Sequence, residues 1–328
     1  MKKNLKILNF RIFSVVLVVL MLVGCSGCDI FSGDKYTPQK TIAENIPIAM
    51  ASDDNYVYPT AVAITSILEN ANEKTKFEIY LMHPGNFKEE SKEKLIKLKE
   101  KYKNLNLEFI NMEDRFKNAN NKGLATPTYY RLSLSSLLPN IDKIIWLDGD
   151  ILALDDLSDF YNLDMENLYY RGFLDHNNEE LNILKDFGIE DDHYICAGVM
   201  LINLEKLRQD NMEQKFEEFI NQNNDKLKEH DQTVINALCY KNIGILPAKF
   251  GIFNYFNDKA GLKNYRNSLV TKDKYSLNEL LEAFKKPTVV HCVTKPWKDR
   301  SVAFSDVWWE YVQKTDLKDE IFKAYNAA

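Results

Sequence analysis

Ile141-Asp142-Lys143-Ile144-Ile145-Trp146-Leu147-Asp148-Gly149-Asp150 is the stretch on which the reading of this chain turns. Residues 141–147 read as a buried β-strand, stopped abruptly by acid, glycine, acid. Such a strand delivers two carboxylates, two residues apart, to the carboxyl edge of its sheet. On a strand that spacing points both side chains the same way, and two hard oxygen ligands suit Mg²⁺ or Mn²⁺. Taken alone, the motif fits an acidic β-turn equally well, and the rest of the chain has to decide.

Outward from this strand, apolar runs alternate with helical spacing. Ile46–Ser52, Phe77–Met82, Leu105–Ile110, Ala197–Leu204 and Thr288–His291 read as strands. Val57–Leu68 and the charged, amphipathic Lys88–Tyr102 read as helices. This alternation predicts an α/β fold with one mixed, mainly parallel sheet covered by helices on both faces. In such sheets ligands bind beyond the carboxyl ends of the strands. Residues 45–313 form the expected catalytic domain, and residues 314–328 a C-terminal helical tail.

Composition narrows the function. With 42 Lys+Arg against 48 Asp+Glu the net charge is −6, which argues against a partner held by nucleic-acid phosphates. A 45% hydrophobic content fits a core-forming globular protein, and 12 Gly with 9 Pro leave no low-complexity segment. Five cysteines, at 25, 28, 196, 239 and 292, show no zinc-type spacing with histidine. The last three sit in apolar contexts and read as buried thiols.

Further residues with chemical potential flank the central strand. Ala51-Ser52-Asp53-Asp54-Asn55-Tyr56, at the end of the first strand, offers short polar groups for a base and ribose. Thr126–Leu132 (TPTYYRL) places Arg131, one of only seven arginines, at a helix start just before the central strand. His230-Asp231-Gln232 and His291-Cys292-Val293-Thr294-Lys295-Pro296-Trp297 follow. A histidine can complete a metal shell, and a lysine can pair with phosphate.

In this order, ASDDNY, TYYRL, WLDGD, CAGVMLINL, HDQ and HxxxKPW resemble glycosyltransferase family 8, over roughly Ile46 to Tyr311. The resemblance implies a GT-A type nucleotide-diphospho-sugar transferase fold, a UDP-sugar donor and Mn²⁺ as cofactor. It implies Asp148, Asp150 and His291 as metal ligands. Nucleotide contacts would come from Ala51, Asp53, Asn55, Tyr56 and Gly149, and diphosphate or sugar contacts from Arg131 and Lys295. Asp175 and Gln232 fall where the family places residues facing the donor sugar, so they are the candidate catalytic pair. Two positions depart from the family pattern. Cys196 stands where an Asn usually precedes Ala-Gly, and the segment between His291 and Lys295 is shorter and lacks a glycine.

These readings give an expected function: a retaining transferase that moves glucose or galactose from a UDP-sugar to a glycan or glycolipid acceptor. A non-catalytic sugar-binding lipoprotein and a metal-dependent phosphohydrolase are the alternatives. The first needs no metal pair, and the second usually wants more His and Asp ligands than five scattered histidines supply.

The front of the chain carries a separate signal. Lys2, Lys3, Lys6 and Arg11 precede an apolar run from Ile12 to Val23, too short for a bilayer span and suited to a signal peptide of residues 1–24. Leu22-Val23-Gly24-Cys25 resembles the bacterial lipobox, which implies acylation of Cys25 and a tether over residues 25–44. The expected location is the extracytoplasmic face, anchored to the membrane by lipid. A cytoplasmic-facing placement is the alternative, because UDP-sugars are made there.

Overall fold

The computed structural model describes residues 43–326, apart from 114, 118, 120–125, 176–177, 191–192, 257, 269 and 272. The signal peptide, Cys25 and nearly all of the tether therefore lie outside the described residues. Among the described residues, no helix is long and apolar enough to cross a membrane.

Among the described residues, ten strands form two sheets. They are β1 (Asn45–Ala51), β2 (Lys76–His83), β3 (Leu105–Asn111), β4 (Lys143–Leu147), β5 (Ile151–Ala153), β6 (Tyr170–Leu174), β7 (Ile195–Asn203), β8 (Ile243–Ile245), β9 (Ile252–Phe253) and β10 (Val289–His291). The large sheet runs β3-β2-β1-β4-β7-β6-β8. β3, β2, β1 and β4 are mutually parallel, β6 pairs parallel with β8, and β7 alone is inserted antiparallel between β4 and β6. β1, β4 and β7 are continuous apolar runs because they are buried on both faces. The helix Val57–Glu69, apolar almost all round, is buried along nearly its whole length.

A smaller sheet, β5-β10-β9, lies beside the large one. It adds to the expected architecture, because three strands of two or three residues carry no readable periodicity. It also corrects the reading of the central motif. Residues 148–150 are not strand but the turn by which the chain leaves β4 in one sheet and enters β5 in the other. At the far end, the helix Lys318–Asn326 packs Tyr325 against Tyr58 and Trp297.

Candidate active site

Three chain segments meet at the carboxyl ends of β1 and β4. The first is the turn after β1, where Asp53 Oδ1 accepts the backbone N–H groups of Asn55 (2.9 Å) and Tyr56 (3.1 Å) and so sets the entry into the helix Val57–Glu69. The second is the Asp148–Asp150 turn. Its glycine permits close packing, since a Cβ at Gly149 would stand 2.6 Å from Thr60 Oγ1. The third is the end of β10, whose antiparallel register sets His291 opposite Ile151, immediately after Asp150. The Cys292 N–H then donates to the Asp150 carbonyl at 2.9 Å.

The two carboxylates have different surroundings. Asp148 is partly exposed, and its Oδ1 accepts from Trp146 Nε1 at 2.8 Å and from Arg131 Nη2 at 3.0 Å. Those bonds orient the group and leave Oδ2 facing His291 Nε2, 3.9 Å away. Asp150 is buried. Its Oδ2 takes the Lys295 ammonium and, at 3.3 Å, the Tyr56 hydroxyl. Burial opposes ionisation of Asp150, yet the Lys295 charge and the His291 contact outweigh it and hold the carboxyl well below its usual range.

Asp150 Oδ1 receives no well-directed hydrogen bond although it is buried, and His291 Nε2 stands 3.3 Å from it. A buried acceptor left without a donor is costly. One ligand atom from each of Asp148, Asp150 and His291 lies within 4.8 Å of the other two. Bonds of about 2 Å to a hard divalent cation require donor separations of about 3–4 Å. The oxygen–oxygen–nitrogen set and the orphaned Oδ1 therefore fit such an ion.

Arg131 is buried, and its guanidinium is committed to the protein. Besides Asp148 it reaches the carbonyls of Thr128 (3.0 Å) and Ala197 and the Asp231 carboxylate (3.0 Å), with its plane over the Trp146 ring at 4.4 Å. Burial pushes the Asp231 carboxyl up to about 7, with the Asp148 charge adding to the rise and Arg131 opposing it. The rise and the 3.0 Å ion pair pull in opposite directions. Burial prevails because Arg131 shares its charge with Asp148, and Asp231 Oδ2 receives no well-directed hydrogen bond.

A cavity of about 310 Å³ opens over this cluster, lined by Ala51, Asp53, Tyr56, Arg131, Asp148, Gly149, Asp150, His291 and Lys295, all singled out from sequence. Ser52, Pro127, Thr128 and Trp146 complete the lining. Asn55 is exposed and outside it. Asp175 and Gln232 also lie outside this lining but meet one another, Gln232 Nε2 donating to Asp175 Oδ2 at 3.3 Å while its Oε1 accepts the Ala197 N–H at 2.8 Å. Cys196, Cys239 and Cys292 are buried free thiols, and Cys196 Sγ lies 3.7 Å from His291 Nδ1. Gly198 enters the sequence reading only as part of the CAGVMLINL motif, with no role of its own. A Cβ there would stand 2.2 Å from His291 Cε1, so only glycine lets β7 pass beneath the imidazole. A lone glycine inside an apolar strand was the available signal.

The chain is similar to known glycosyltransferases. A putative glycosyltransferase of Haemophilus influenzae is 30% identical over 229 residues, 68% of each chain. The lipopolysaccharide 1,2-glucosyltransferase of Escherichia coli is 25% identical over 83% of this chain and 78% of its own. Among solved structures, the galactosyltransferase LgtC in complex with donor and acceptor sugar analogs superposes with a TM-score of 0.72 at 22% identity, over 85% of this chain and all of that one. This likeness makes the α/β architecture a GT-A fold. Residues 47–301 match the profile of glycosyl transferase family 8, and the chain belongs to that family.

Proposed function

We propose that the protein transfers glucose or galactose from a UDP-sugar to a glycan or glycolipid acceptor, with retention of configuration, using Mn²⁺ or, in its place, Mg²⁺. The observation that carries this reading is the Asp148–Asp150–His291 cluster, set with Lys295 in one wall of a cavity at the carboxyl ends of β1 and β4. The relatives' names, a glucosyltransferase and a galactosyltransferase bound to sugar analogs, support a sugar donor and a sugar acceptor.

When bound, a divalent cation at this cluster neutralises charge on a diphosphate leaving group. Asp148, Asp150 and His291 would hold it. Lys295, on the same wall, supplies a second positive charge for phosphate oxygens. Trp146 and Arg131 fix the rotamer of Asp148, which keeps Oδ2 free. Tyr56 and Asp53 border the region left for the nucleoside. Gln232, whose carbonyl oxygen is occupied by the Ala197 N–H, and Asp175, bonded to the Gln232 amide, form a polar pair for the donor sugar rather than a prepared nucleophile. That favours attack by the acceptor on the face from which UDP departs.

We place the domain on the extracytoplasmic face through acylation of Cys25. The basic residues before the apolar run and the Leu22–Cys25 motif support this. The catalytic reading is tested by release of UDP from UDP-glucose and UDP-galactose, with EDTA and Mn²⁺ added in turn. Release should require the metal, and Asp150→Asn should lower it by about 100-fold or more. Undiminished release in EDTA would refute the metal-centred reading.

A further inference from the structure

The segment from His291 to Lys295 has to hold two functional side chains against Asp150, yet it contains no glycine and spans only Cys292, Val293 and Thr294 between them. One residue outside the segment grips it. Asn254 follows directly after β9, which pairs parallel with β10 through Val290 with Ile252 and His291 with Phe253. The Asn254 backbone N–H continues that ladder by donating to the His291 carbonyl at 3.2 Å. Its side chain then takes over where the strands end. Nδ2 donates to the Thr294 carbonyl at 2.5 Å, and Oδ1 accepts the Thr294 N–H at 3.1 Å. Asn254 is completely buried.

One amide side chain thus saturates both backbone groups of a single loop residue, as a third strand residue would. Thr294 immediately precedes Lys295, whose ammonium reaches Asp150 Oδ2 and the Cys292 carbonyl. The clamp fixes both ends of the tight loop, His291 through its carbonyl and Lys295 through its neighbour. Asn matches this task because it offers a donor and an acceptor on one rigid plane. Neither Asp nor Leu, the closest in shape, offers both.

We propose that Asn254 is a positioning residue for the donor diphosphate: it touches neither metal nor nucleotide, and acts by holding Lys295 and His291 in register with Asp150. The proposal rests on the transferase reading above, and its test separates the two.

The measurement is UDP affinity by calorimetry at saturating Mn²⁺, for wild type, Asn254→Ala, Lys295→Ala and the double variant. Asn254→Ala is expected to weaken UDP by about 10-fold, in the range of second-layer losses at metal sites. In the Lys295→Ala background the same change should add about 3-fold at most, because one of the two groups being positioned is gone. Full multiplicative losses would mean that Asn254 acts independently of Lys295, and would overturn the proposal.

Asn254→Asp fills the same volume and keeps the acceptor for the Thr294 N–H, but it sets a second acceptor, itself buried, against the Thr294 carbonyl. It leaves no cavity, so it carries the test if the alanine variant does not fold, and it should lose UDP affinity at least as much as Asn254→Ala. A second readout needs no ligand: hydrogen exchange at the Thr294 amide should accelerate at least about 10-fold in Asn254→Ala. Unchanged exchange in Asn254→Ala would overturn the clamp. Failure of the wild-type protein to bind UDP with Mn²⁺ would instead overturn the donor reading, and leave the exchange result to judge the clamp.

Discussion

Gly198→Ala adds one methyl group at the most crowded point of the site. The new Cβ would lie 2.2 Å from His291 Cε1, 2.8 Å from His291 Nε2 and 2.9 Å from Asp148 Oδ2, where ordinary contact begins at 3.4 Å. β7 has little room to retreat. It is paired on both edges, and the Gly198 carbonyl takes the Asp148 N–H at 2.9 Å. The imidazole must therefore move, by more than 1 Å, away from the point it shares with the two carboxylates. Overpacking of this kind costs about 1–3 kcal/mol of stability. A 1 Å displacement at reacting geometry costs about 100-fold in rate. The expected result is a folded, cooperative protein with Mn²⁺ affinity reduced at least about 10-fold and turnover about 100-fold. Mn²⁺ affinity is read from free ion by electron paramagnetic resonance, with thermal melts alongside. Gly261→Ala, where an added Cβ meets nothing closer than 3.6 Å, is the control and should behave as wild type. A Gly198→Ala protein that bound Mn²⁺ within about twofold of wild type would refute the metal assignment of His291.

Asp231 supplies a pH test. Burial raises its carboxyl to about 7, far above an unfolded value of about 3.9, so the native state retains a proton that the unfolded chain gives up. Stability from the neutral form is complete below about pH 4 and declines as pH rises toward 7. Asp231→Asn removes the decline, so its melting temperature relative to wild type should climb between pH 4 and 7, and a flat difference would show that the carboxyl titrates normally. Cys196→Ala takes the thiol from His291 Nδ1 and should weaken Mn²⁺ by about 10-fold, with Cys196→Ser retaining most of the affinity; equal affinity in all three would remove the thiol from any role in orienting the ring. Cys25→Ser should abolish incorporation of labelled palmitate, and a variant that is still labelled would end the lipobox reading.

Much of the large sheet was legible because doubly buried strands write long apolar runs, and β1 through β4 were each located to within a residue or two. β6 and β8 escaped: Tyr170–Leu174 mixes Arg171 and Gly172 into an apolar run, and Ile243–Ile245 is three residues long. The direction of β7 could not be read either, since an all-apolar strand looks the same parallel or antiparallel. At the site, residue types announced themselves where chemistry demands charge, as with Asp148, Asp150 and Lys295. Residues whose work is geometric did not. Gly198 matters for the atoms it lacks, and Asn254 for two backbone groups forty residues further along. Arg131 was visible as a rare cation, but its burial against Asp148 and Asp231 depends on a helix, Asp231's own, that begins a hundred residues later.

The pairing of β5 with β10 has a consequence for how the protein comes into being. The carboxylates at 148 and 150 leave the ribosome about 140 residues before His291 and Lys295 do. Until β10 docks antiparallel on β5, the buried Asp150 has neither its ammonium partner nor its imidazole neighbour. A nascent chain that stops short of β10 thus carries Asp150 without Lys295 and His291, although Arg131, the partner of Asp148, is already made, and contacts of such long sequence separation close slowly. Competence to hold a cation arrives late in synthesis, and arrives together with the strand that seals the smaller sheet.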